Sequence, residues 1–259
     1  MRTKKKNILT LALYAGEIML KNGAETYRVE DTIIRICKAY HIPYVESFVT
    51  PTGIFISVDS NDDTETNAFI KRIKTRTIDL NKVSQVNNFS RKLATSYISV
   101  EEGMEILRNI DNLPKYSKLL KAISAGIASA FFAVLLGATY NDIICSFFIS
   151  IFVYIAVSFV ENLDSNLFIQ NAIGGTITAL LAILSINIHL GINIDKIIIS
   201  SIMILVPGVA ITNAVRDYIS GDLLSGTARS GEAIIIAVAI AVGVGTVMNF
   251  WLYIFGGIL

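Results

Sequence analysis

Between Pro207 and Glu232 the chain reads PGVAITNAVRDYISGDLLSGTARSGE, a helix-breaking Pro-Gly pair and five charges set between two runs apolar enough to lie in a membrane. A charged side chain in hydrocarbon costs about 2.5 to 3.5 kcal/mol on insertion scales, so such residues face a partner, a water-filled cavity or a substrate path. Pro207 removes a backbone donor and Gly208 adds freedom, leaving carbonyls of the preceding turn to be satisfied by other groups or water. Broken helices of this kind mark binding sites in membrane transporters. If helix resumes after the break, Asn213, Asp217 and Ser220 share one face, and Thr212, Arg216 and Ser220 share an overlapping one. Arg216 and Asp217 are adjacent and do not pair well within one helix, which leaves them open to substrate or to charges elsewhere. Asp222, Ser225 and Arg229 form a second polar stripe, with Arg229 in reach of Glu232 and Gly221 and Gly226 allowing a bend. The same residues also fit an ordinary cytoplasmic loop that follows a kinked helix.

A second dense cluster is GAETYRVED, Gly23 to Asp31. Its helical spacing pairs Glu25 with Arg28 and Asp31 with Arg35, contacts worth about 0.2 to 0.5 kcal/mol each in isolated helices. Glu25, Arg28, Glu30 and Asp31 therefore read either as a solvated, structural face or as an anion-binding or regulatory site. The basic run Lys71, Arg72, Lys74 and Arg76 reads as a solvated face or a contact with anionic headgroups.

The elements that position these clusters follow from an uneven distribution of charge. Of 259 residues 53% are hydrophobic and 17% charged, and the mean hydropathy is +0.59. Residues 1–118 hold 18 of the 22 Lys/Arg and 14 of the 21 Asp/Glu, while residues 119–259 hold the other 4 and 7. This predicts one soluble domain, 1–118, joined to one membrane domain, 119–259. The net charge of +1 gives no case for nucleic acid. The start MRTKKKNILTLALYAGEIML imitates a secretory signal, but Glu17 and Lys21 interrupt it and no cleavage site follows, so an amphipathic helix is expected. Cys37 and Cys145 have no disulfide or metal spacing, and His41 and His189 no zinc pattern, so no metal or cofactor is expected.

In the first domain the pattern predicts helices over Ile8 to Leu20, stopped by Asn22-Gly23, and over Thr26 to Tyr40. Strands are expected at Ile42 to Thr50 and Gly53 to Asp59, with Ile54, Ile56 and Val58 on one face and Pro51-Thr52-Gly53 turning between them. A third strand is expected within Phe69 to Leu80, then helices at Asn81 to Thr95 and Val100 to Ile110, and a join at Asn112 to Lys118. The fold class is a membrane protein: an N-terminal cytoplasmic α+β domain followed by a bundle of about five membrane helices. A bilayer core needs roughly 20 apolar residues in a helix. Leu119 to Ala138, Ile143 to Val160 and Leu167 to Ser185 meet this, a fourth span starts near Ile197 and is cut short at Pro207, and a fifth covers Ala233 to Phe255. Lys115, Lys118, Lys121, Arg216 and Arg229 fall on the side of the N-terminal domain, with Lys196 opposite, which places that domain inside and the C-terminus outside. Small residues such as Gly126, Gly174, Gly175, Gly243 and Gly245 let helices approach closely. VGVGT at Val242 to Thr246 fails as a nucleotide loop, since Met248 stands where a third glycine is required.

The stretches NGAETYRVEDT at Asn22 to Thr32 and VPGVAITNAVRDYISGDLLSGTARSGEA at Val206 to Ala233 make the chain resemble the bacterial threonine/serine exporter family, in its small five-span form related to a dicarboxylate (succinate) export system. The resemblance covers nearly the full length. It implies export of small amino acids or dicarboxylates, no enzymatic activity, and residence in the cell membrane. The family completes its membrane unit with a second hydrophobic region in the same polypeptide or with a separate small membrane protein. No such region precedes Leu259, so the resemblance implies a partner subunit. On this reading Asn213, Arg216 and the broken-helix backbone at Pro207 and Gly208 bind a carboxylate, while Asp217, Asp222 or Glu161 carries ion coupling or ammonium recognition. No nucleotide motif supports direct ATP drive. Two rivals stand beside it. One is a membrane sensor whose cytoplasmic domain binds the ligand. The other is a membrane-embedded phosphotransferase, whose motif DLLSGTAR at Asp222 to Arg229 fails because Ser225 replaces a required acid.

Overall fold

The computed structural model describes residues 2–42, 44–58, 67–163 and 165–255. They divide into two compact units, one of Met1–Pro114 with Val209–Ser230, the other of Lys115–Gly208 with Gly231–Leu259. Segment 209–230, grouped with the membrane half in the sequence, thus packs with the N-terminal residues.

At the centre of the first unit lies α1 (Arg2–Lys21), with Leu11, Ala12, Ala15, Ile18 and Met19 fully buried. It contacts α2 (Thr26–Ala39), β2 (Gly53–Val58), α3 (Leu80–Thr95) and α4 (Val100–Asp111), which explains its nearly continuous apolar surface. It begins at Arg2 rather than Ile8, because Lys and Arg propagate a helix as readily as the apolar body does. The expected stop is present: Gly23, at φ 92°, closes the helix through Ala24 N–H to the Met19 carbonyl (3.1 Å) and Gly23 N–H to Leu20 (3.4 Å). His41, at φ 60°, ends α2 in the same way, its N–H donating to Lys38 and that of Ile42 to Cys37. Its role is conformational.

Three antiparallel strands, β1 (Val45–Thr50), β2 and β3 (Asn67–Arg72), form a sheet in that order. Val49, Ile54, Ile56 and Val58 point into the core, as the alternation predicts, and Phe48, Phe55 and Ile70 pair across the exposed face. Asp59, expected to end β2, lies outside the described residues. β3 starts before Phe69 and stops at Arg72, so most of the expected 69–80 strand is instead the approach to α3. That helix is capped by Asp79, which accepts from Lys82 N–H at 3.2 Å. The basic run is not wholly solvated: Lys71 Nζ lies 2.9 Å from Glu17, which also holds Lys21 at 2.6 Å. Burial raises the Glu17 carboxyl, but the two ammonium groups outweigh it and leave it below its ordinary value.

The second unit is built on α5 (Lys118–Leu135), α6 (Tyr140–Glu161), α7 (Leu167–Asn187), α8 (Ile194–Ile202) and most of α10 (Leu223–Phe255). Among the described residues four helices are long and apolar enough to cross a membrane: α5, α6, α7 and α10. The span expected from Ile197 is the nine-residue α8, followed by turns up to Pro207, so it does not reach the required length as a helix. The last helix, expected from Ala233, begins ten residues earlier at Leu223 and is 33 residues long. Asp142, fully buried, organises one end of this unit. Its carboxylate accepts from Thr139 N–H and Oγ1 in a capping box, and from Ile192 N–H, Asn193 N–H and Asn193 Nδ2 at 2.7 to 3.0 Å. Lys196 Nζ donates to the Gly137 carbonyl at 2.7 Å, joining the α5–α6 connection to the start of α8. Ser200 on α8 bonds Ser146 on α6 at 2.7 Å, a buried polar contact that satisfies both hydroxyls.

Glycine brings α7 and α10 together. A Cβ on Gly243 would stand 2.2 Å from the Ala172 carbonyl oxygen, and one on Gly175 2.7 Å from that of Ile240, whereas one on Gly245 would meet nothing within 4 Å. Only part of the glycine pattern is therefore packing.

Candidate functional site

The two motifs singled out in the sequence meet within the first unit. α2 starts at Thr26, and the side chain of its N-cap Glu25 makes no capping bond. Glu25 turns instead to two arginines: Arg28 Nε, 3.2 Å from Oε2, and Arg216 Nη1, which donates to Oε1. Arg216 belongs to α9 (Gly208–Ile219), the helix that resumes after Pro207. One residue further along α9, Asp217 accepts from Thr26 Oγ1 at 2.8 Å and lies 3.0 Å from Arg229 Nε on α10. Arg229 Nη2 in turn donates to the Ala24 carbonyl at 2.9 Å, and Asn213 Nδ2 to that of Gly23 at 2.9 Å. The carbonyls exposed by the α1–α2 turn thus find their donors on α9 and α10.

Local sequence explains the placement. Asn213 and Asp217 stand four apart on the buried face of α9, and Ser225 and Arg229 four apart on that of α10. Gly221, at φ 84°, closes α9 with Asp222 N–H on the Asp217 carbonyl, and the Asp222 side chain caps α10 by accepting from Ser225 N–H at 3.0 Å. Gly226 makes no bend; it lies inside α10, where a Cβ would come within 2.7 Å of the Tyr218 ring. Arg229 pairs with Asp217.

Burial differs sharply between the neighbours Arg216 and Asp217. The Asp217 side chain is fully buried and that of Arg229 7% exposed, while the Arg216 side chain is 51% exposed. Burial pushes the Asp217 carboxyl above its ordinary value, against the pull of Thr26 and Arg229. Glu30, one turn beyond Thr26, is also raised by burial, although it accepts from Val49 N–H at 2.8 Å; the carboxylates of Asp222 and Asp217 add to the shift. Asp31 is exposed and pairs with Arg35.

Beside the cluster, α2, α3 and α9 enclose a cavity of about 300 Å³, lined by Glu25, Arg28, Thr212, Asn213 and Arg216 together with Ser84 and Asn87 of α3. Thr26 and the two α3 residues escaped sequence reasoning. Thr26 resembled a helix start and nothing more, and α3 carried no charge pattern that pointed to it. Pro207 and Gly208 form the entry to α9, Glu161 is exposed at the last position of α6, and Glu232 lies part-buried on α10; these four belong to the second unit.

A protein with four helices long and apolar enough to cross a membrane, and with its charges gathered in a compact unit of helices and a small sheet, is a membrane protein by composition. Residues 10–251 match the family model described as "Putative threonine/serine exporter", and the chain belongs to that family. It is 22% identical over 240 residues to the "Probable threonine/serine exporter" of Mycobacterium tuberculosis, covering 92% of this chain and 45% of that protein. It is 24% identical over 247 residues to the "Threonine/serine exporter" of Corynebacterium glutamicum, covering 92% and 50%. The chain spans about half the length of these two relatives. Against the "Probable succinate transporter subunit YjjP" of Escherichia coli it is 24% identical over 257 residues, 97% of this chain and 98% of that one. No solved structure matches it.

Proposed function

We propose that the chain is a subunit of a secondary membrane exporter for small carboxylate-bearing metabolites, either threonine/serine-type amino acids or dicarboxylates such as succinate, and that it works with a separate small membrane subunit. The observation that carries this reading is the union of the two family motifs around one cavity, with Arg28 and Arg216 at its wall. Arg216 and Asn213 engage the carboxylate of the cargo. Asp217 and Asp222 take a supporting and coupling part, Asp217 holding the segment in place through Arg229. The end-to-end match to a protein named as a transporter subunit supports the partner.

The first unit lies in the cytoplasm and the spans number five. The chain leaves that unit at Lys115 and returns to it at Val209, so with the unit on one side of the membrane the intervening residues cross an even number of times. α5, α6 and α7 supply three crossings, and α8 with the turns to Pro207 supplies a short fourth. α8 is packed by α5, α6 and α7, the setting in which irregular backbone is tolerated at membrane depth. α10 is the fifth. A reporter fused after Leu259 is therefore expected on the outer face, and a cytoplasmic signal from that fusion sinks the five-span topology.

Counterflow in proteoliposomes tests the function. Labelled succinate or threonine should exchange when the chain is reconstituted with its small partner, and little or not at all with the chain alone. Equal flux without any second protein removes the partner, and no flux of either cargo under any condition removes the exporter reading.

A further inference from the structure

We infer that the cavity between α2, α3 and α9 is a binding site for a small anionic carboxylate, held between Arg28 and Arg216 and read by Ser84 and Asn87. That such a ligand is cargo rests on the exporter reading; that it binds here does not. Its donors are unevenly used. Arg28 and Arg216 each direct one nitrogen to Glu25 and have no other polar partner among the described residues, although each guanidinium carries five N–H donors in a planar fork suited to carboxylate. The Ser84 hydroxyl and the Asn87 amide line the same space from α3 and make no hydrogen bond among the described residues. Among the described lining residues Glu25 is the one acid, and each of its oxygens faces one of the two arginines. The lining thus carries two guanidinium charges against one carboxylate, an excess of positive charge that favours an anion over an ammonium group. Val83 and Val209 offer an apolar wall to a short carbon chain. At about 300 Å³ the space is at the small end of ligand pockets, which run from about 300 to 1,000 Å³.

Isothermal titration of the full chain in lipid nanodiscs decides the matter, with succinate, L-threonine and inorganic phosphate as probes. Succinate should bind saturably, and Asn87→Asp and Ser84→Asp, which place a negative charge at half-buried and exposed positions of a helix surface, should each weaken it at least tenfold. Succinate binding indifferent to both substitutions overturns the site. L-Threonine or phosphate binding as tightly as succinate overturns its preference for an anionic carboxylate. Counterflow measured in parallel separates this inference from the reading it deepens. Flux without binding in the cavity refutes the cavity alone, and binding without flux refutes the exporter alone.

Discussion

Asp217→Ala should destabilise the protein by about 3 to 5 kcal/mol, the cost of leaving one member of a buried ion pair without its partner. Arg229→Ala should cost about the same, since the carboxylate it leaves is fully buried. Replacing both by apolar residues of similar size, Asp217→Leu with Arg229→Met, should recover most of the loss, because no charge is then stranded. Thermal or denaturant unfolding in detergent measures all three, and a double mutant no better than the singles argues that the pair is not the cause. The neighbour behaves differently. Arg216→Ala removes a half-exposed partner, so it should cost no more than about 1 kcal/mol while abolishing export. The pH dependence has a definite sign. The folded Asp217 carboxyl sits above its ordinary value, so the stability it contributes on protonation is fully present below that ordinary value and is lost as pH rises through the folded one. In Arg229→Gln the lowering pull of the guanidinium is gone, and the loss should extend to higher pH.

The second large effect separates two glycines that the sequence presents as equals. Gly243→Val should disrupt the packing of α7 on α10, at a cost at or above the upper end of the roughly 1 to 3 kcal/mol typical of overpacking, because the new Cβ would collide with the backbone at Ala172 and Thr176 rather than with a movable side chain. Gly245→Val, two positions away, should fold and insert like the parent. Comparing folded yield and melting temperature of the two variants is the check, and equal behaviour would mean that the helices do not approach by way of Gly243.

Much of the local structure was legible. The apolar periodicity located α2, α3, α4, α5, α6 and α7 to within a few residues, and Asn22-Gly23 announced the end of α1. The charged segment after Pro207 was visible as a helix with two polar faces. What the sequence withheld was the identity of the distant surface each face meets. Periodicity reports which residues of a helix point the same way, and nothing in it distinguishes Glu25 from any other acid as the partner of Arg216. Adjacency did imply that Arg216 and Asp217 must look outside their own helix. The start of α10 was hidden for a different reason: Gly226, with Gly221, read as allowing a bend, and only the Tyr218 ring lying over Gly226 makes sense of it inside a helix. The short α8 was foreshadowed by Pro207, but its end at Ile202 was not.

The contacts that tie α9 and α10 to the α1–α2 turn join positions 190 to 205 residues apart. This imposes an order on biosynthesis. Residues 1–114 leave the ribosome first, yet the turn at Gly23 and Ala24 and the hydroxyl of Thr26 receive their partners only after the whole of 115–208 has been made. A truncated chain released after the first 114 residues lacks α9 and the beginning of α10, and exposes a charged acid, Glu25, stripped of one of its two arginines. Completion of the first unit is therefore a record that the segment between its two halves has been synthesised.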